Sequence, residues 1–86
     1  MAELNLEIVT PKRIAWKGVA MDVQAPGELG EFGVLPQHIP FLTVLKPGIV
    51  KVKTSTGELK FKVGAGFAEA GPDRVVLLAD TCEEIK

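Results

Sequence analysis

Apolar residues recur along this chain with a period of two. Leu4, Leu6 and Ile8 alternate with Asn5, Glu7 and Val9, the pattern of a strand with one buried face. Pro11 ends that segment. Ile14 to Met21 reads as a second strand with a bend or bulge at Gly18, and Val23 and Ala25 carry it on to a turn at Pro26-Gly27. The clearest hairpin lies further along. Val50 and Val52 alternate with Lys51 and Lys53, then Leu59, Phe61 and Val63 alternate with Lys60 and Lys62, and Thr54-Ser55-Thr56-Gly57 forms the turn between them. Paired antiparallel, the apolar residues share the buried face. The four lysines sit on a solvated face, partly offset by Glu58, where they discourage edge pairing. After Gly64-Ala65-Gly66, Phe67 to Ala70 is a short strand. Arg74 to Ala79 is a continuous apolar strand, buried on both sides or central in a sheet. Thr81, followed by Glu83 and Glu84, has the composition of a helix N-cap and predicts that a helix begins there.

Turn signals recur roughly every 8–12 residues with no helical period before Thr81. The predicted fold is all-β, a two-layer antiparallel β-sandwich (or flattened barrel) of roughly eight to ten short strands. The alternation breaks down between Pro26 and Gly48, which holds four of the six prolines, four of the nine glycines and the only histidine. Breakers this frequent exclude a helix through the segment. A rigid, irregular, apolar segment carried by strands predicts a surface shaped for a partner.

Composition narrows the function classes. Eighty-six residues make one small domain, and 47% hydrophobic content supplies a core. A net charge of −1, with ten basic and eleven acidic residues spread along the chain, offers no basic stripe for nucleic acid. Without tyrosine, and with few other aromatics, there is no base-stacking platform. Cys82 has no second cysteine to pair with and reads as a reduced thiol. No apolar run reaches the ~20 residues of a membrane span, and no signal peptide is visible. Catalytic groups are sparse. His38 and Cys82 are far apart in sequence, the pairs Glu28/Glu31 and Glu83/Glu84 read as solvated charges, and Gly27, Gly30 and Gly33 match no phosphate-loop spacing. Trp16 reads as core or sheet-face packing. His38, between Pro36 and Pro40, is as readily a structural histidine as a contact residue.

Gly30-Glu31-Phe32-Gly33-Val34-Leu35-Pro36-Gln37-His38-Ile39-Pro40-Phe41-Leu42-Thr43, followed by Leu45-Lys46-Pro47-Gly48, resembles the signature of the epsilon subunit of rotary ATP synthases. Residues 4 to 10 resemble that family's opening strand, and Val76 to Thr81 its closing strand. Gln37 departs from the family's usual glycine. The resemblance implies the amino-terminal β-sandwich domain, residues 1–81, with 82–86 as the stub of a C-terminal helical hairpin that is absent here.

It also implies a non-catalytic rotor part of the central stalk, without cofactor or metal, in a proton- or sodium-driven ATP synthase. The implied partners are the gamma subunit and the polar loops of the c ring. Membrane association would come only through the complex, at the cytoplasmic face of the bacterial inner membrane. Carried over position by position, Gly27, Glu28, Leu29, Gly30, Glu31, Phe32 and Gly33 resemble the loop facing the c ring. His38, Ile39, Pro40, Phe41 and Leu42 resemble part of the surface meeting gamma, with Ile39 and Phe41 as apolar anchors. The alternative is a lipoyl- or biotinyl-type carrier domain of similar size. Its modified lysine belongs at a hairpin tip, whereas Ser55-Thr56-Gly57 holds none.

Overall fold

A computed structural model describes residues 3–34, 40–72 and 74–85. Ten strands run through them: β1 (Leu4–Val9), β2 (Ile14–Ala20), β3 (Asp22–Gly27), β4 (Gly30–Val34), β5 (Phe41–Leu45), β6 (Gly48–Thr54), β7 (Gly57–Val63), β8 (Gly66–Ala70), β9 (Arg74–Ala79) and β10 (Cys82–Ile85). Their hydrogen-bonded order is β10-β7-β6-β3-β5-β8-β9-β1-β2, with β4 on the other side of β3. β3 and β5 meet at one residue pair, Gly27 with Leu45. The network therefore divides into two five-stranded layers, β4-β3-β6-β7-β10 and β5-β8-β9-β1-β2, folded into a flattened, nearly closed barrel. The expected all-β sandwich is present.

The local chemistry explains the hairpins. Thr10 accepts from the backbone N–H of Lys12 and Arg13 through its hydroxyl and donates to the Arg13 carbonyl, closing the β1–β2 turn around Pro11. Thr54 does the same for β6–β7, donating to the Gly57 carbonyl and accepting from the Thr56 N–H. Val50 then faces Phe61 and Val52 faces Leu59, while Lys51 faces Lys60, the register expected from the alternation.

One core lies between the layers. Leu4, Leu6, Ile8, Val23, Leu45, Val50, Val52, Phe61, Val75 and Leu77 are all sealed within it. Trp16 lies over Gly18, where a Cβ would fall 2.8 Å from its ring, and its centroid is 6.2 Å from that of Phe61 in the opposite layer. The indole thus fills the space a side chain at Gly18 would take and ties the two sheets together.

Three local expectations need correction. Cys82–Ile85 is a strand, not the start of a helix. Cys82 pairs with Val63, and Glu83 lies beside Lys62. An open edge on β7 outweighs a weak cap signal in so short a segment. The register shift in the first hairpin falls at Ile8/Val9, with Ala15 as the extra residue opposite, rather than at Gly18. The second strand does not run on to Pro26. The chain bends at Met21, and β3 joins the other layer. β9 is central, between β8 and β1, which is the second of the two expected placements; one of its faces is sealed and the other is not, since Leu78 is 47% exposed. Its pairing with β1 is parallel, the exception in an otherwise antiparallel network. Such a pair requires a long crossover, and the rest of the barrel supplies it.

Candidate docking site

The two ends of the irregular segment come together in space. β3 and β4 form a hairpin in which Gly27 faces Gly30 and Glu28-Leu29 is the two-residue loop. Gly30 has a φ of 121°, a conformation that side chains other than glycine's resist. A Cβ on Gly27 would come within 2.7 Å of the Phe32 ring. Both glycines are thus required where they stand, one by backbone and one by space. The loop is presented outward, with Leu29 fully exposed.

β5 lies across from this hairpin. Phe41 is half-buried against the core and meets Phe32 edge-on, with centroids 5.9 Å apart and planes at 87°. Leu42, next in sequence, points the other way and is 69% exposed. Gly27 to Phe32 and Phe41 to Val44 together line an open groove of about 530 Å³. Of the residues singled out from the sequence, Gly27, Glu28, Leu29, Gly30, Glu31, Phe32, Phe41 and Leu42 therefore share one place. Gly33 and Pro40 are exposed just outside it. His38 and Ile39 lie outside the described residues. Of the two candidate apolar residues on β5, Leu42 is exposed and Phe41 packs against Phe32 and the core.

The outer faces of the two layers differ sharply. On β4-β3-β6-β7-β10, Lys51 stands between Gln24 and Lys60, Lys53 between Asp22 and Glu58, and Lys62 beside Glu83. This is a solvated mixed-charge face, as the alternation predicts. On the other layer, a row crosses all five strands through neighbouring pairs: Val44, Phe67, Leu78, Val9 and Ile14. Phe67 is 53% and Ile14 54% exposed. Strands about 4.8 Å apart make the row about 19 Å long. Sequence reading missed it, because its members come from five separate segments. The one signal available was the apolar residue at the outward parity of each strand. Beside the row, Arg74 donates to Glu7 at 3.0 Å.

Among the described residues, no group of three His, Cys, Asp or Glu could hold a metal ion. Among the same residues, no helix is long and apolar enough to cross a membrane.

The comparisons agree with this fold. The family model for the β-sandwich domain of the ATP synthase delta/epsilon chain matches residues 3–85. The ATP synthase epsilon chain of Moorella thermoacetica is 49% identical over 84 residues, which cover 96% of this chain and 63% of that protein. This chain thus spans about three-fifths of that relative. The epsilon chain of Caulobacter vibrioides is 42% identical, and the match covers 98% of each. Among solved structures, a chain of the Euglena gracilis mitochondrial ATP synthase (OSCP/F1/c-ring) shares the fold at a TM-score of 0.90 and 21% identity, covering 98% of this chain and 54% of that one. A chain of the Tetrahymena thermophila mitochondrial ATP synthase central stalk and c-ring shares it at 0.77 and 12% identity, covering 93% and 65%. With its strands, its central motif and a family match running almost end to end, the chain belongs to the ATP synthase delta/epsilon family, as that family's β-sandwich domain.

Proposed function

We propose that this domain is a non-catalytic part of the central stalk of a proton- or sodium-driven ATP synthase, linking the gamma subunit to the c ring so that ion flow is coupled to ATP synthesis. It would work at the cytoplasmic face of a bacterial inner membrane, held there by the complex. Relatives named ATP synthase epsilon chain and the shared fold of central-stalk chains support the reading.

The observation that carries it is the one-sidedness of the barrel. The apolar row from Val44 to Ile14, with Leu42 beside it, gives a face that a large protein partner would desolvate. The lysine face would remain in water. Gamma would cover the row and the exposed Leu42, and the Glu28-Leu29 end would face the polar loops of the c ring. A closed barrel whose loops are set by proline and glycine suits a part that transmits torque, because packed cores resist deformation.

The test is binding to a cognate gamma subunit by titration calorimetry. Phe67→Lys with Leu78→Lys should weaken the complex at least about tenfold, with the melting temperature within a few degrees of the parent. Lys51→Ala with Lys60→Ala should leave it unchanged. Equal loss from both pairs, or from neither, would rule out gamma on this face.

A further inference from the structure

We propose that Glu69 is the charged determinant of docking on the apolar face: its carboxylate receives one cationic side chain of the gamma subunit and so fixes how gamma lies across the strands. The proposal rests on the stalk reading and names a polar contact within it.

A second row crosses the same face. Leu42, Glu69, Val76, Glu7 and Lys17 are neighbours in turn. Glu69 stands two positions along β8 from Phe67, a separation of about 7 Å. Its cross-strand neighbours, Leu42 and Val76, are both apolar. The other carboxylate of the row already has partners. Glu7 accepts from Arg74 at 3.0 Å and has Lys17 opposite it. Glu69 is exposed, and no described cation lies within 4 Å of its carboxylate. Arg74 lines the same shallow depression as Glu69, with Ala70, Gly71 and Val76, but its guanidinium is turned to Glu7. A partner that desolvates Phe67 and Leu78 brings its rim over Glu69. An unpaired carboxylate is costly to desolvate there, and a cation carried by the partner offsets that cost. A guanidinium suits the place, being planar and weakly hydrated beside two apolar side chains. Because Glu7 is taken, the cation has one position to occupy. That sets the partner's register along an apolar strip that would by itself tolerate sliding.

The experiment titrates cognate gamma into the parent chain and into Glu69→Gln, Glu69→Lys and Glu58→Gln variants by calorimetry, at low and at physiological salt. Glu58→Gln removes the same charge from the lysine face and is the control. Glu69→Gln should lower the affinity about two- to fivefold, the effect of one exposed ion pair, and should make binding less sensitive to salt. Glu69→Lys should lower it at least about tenfold, because like charges then meet. Melting temperatures should stay within a few degrees of the parent's, since Glu69 makes no ion pair within the free domain. The proposal is overturned if Glu69→Gln binds as tightly as the parent or more tightly, if it loses no more than Glu58→Gln, or if its salt dependence equals the parent's. Such a result, with Phe67→Lys and Leu78→Lys still weakening the complex, would remove the charge contact and leave the stalk reading. A parent chain that binds no gamma at all would overturn both.

Discussion

Cys82 shows how one residue's environment decides its chemistry. It is 8% exposed on β10, and burial pushes its thiol above the ordinary value, while the Arg13 guanidinium pulls the other way. The same Arg13 donates to the Cys82 carbonyl at 3.3 Å, fastening the first hairpin to the last strand. Because the folded chain holds the thiol proton more tightly than the unfolded chain, this group's contribution to stability is whole at neutral pH. It is lost as pH rises from the ordinary thiol value, about 8.5, through the raised folded one. Cys82→Val should therefore flatten the fall of melting temperature on the alkaline side relative to the parent, as read by calorimetry. A steeper fall in the variant would mean that the thiolate is favoured in the fold. Trp16 was legible as packing from sequence. Its position over Gly18 and against Phe61 was not, because Phe61 belongs to the other layer.

Within the strands, parity carries most of the energetics. Leu77 and Leu78 are sequence neighbours on β9, yet one is sealed and the other is half in water. Leu77→Ala should cost about 2–5 kcal/mol, by lost transfer free energy and a residual cavity. Leu78→Ala should cost less than about 1 kcal/mol. Urea denaturation of the two variants checks this, and equal losses would show that both faces of β9 are covered within the domain. The strand inventory and the β6–β7 register were readable because alternation and turn chemistry are local. β10 was misread for the same reason. A threonine followed by glutamates is a local helix signal, and the free edge of β7 that overrides it is contributed some twenty residues earlier in sequence.

At the scale of the molecule, the two layers share one core but only a single backbone pair joins β3 to β5. Trp16–Phe61 and Phe32–Phe41 cross between the layers, so neither sheet can lose its partner without exposing the other's apolar face. Unfolding should be a single cooperative transition, with Trp16 fluorescence and far-ultraviolet circular dichroism superimposing in denaturant. Two separated midpoints would show that the layers come apart independently.

The sequence alone determined the class of fold, the main hairpins, the buried parity and the family motif. These follow from short-range periodicity, from proline and glycine geometry, and from residue types read in order. Tertiary structure decided which segments became neighbours. The parallel pairing of β1 with β9 aligned Val44, Phe67, Leu78, Val9 and Ile14 across one face. The approach of β5 to the β3–β4 hairpin made a groove from two stretches that were only near in sequence. Long-range register is set by closing the core as a whole, a condition that no window of the chain contains.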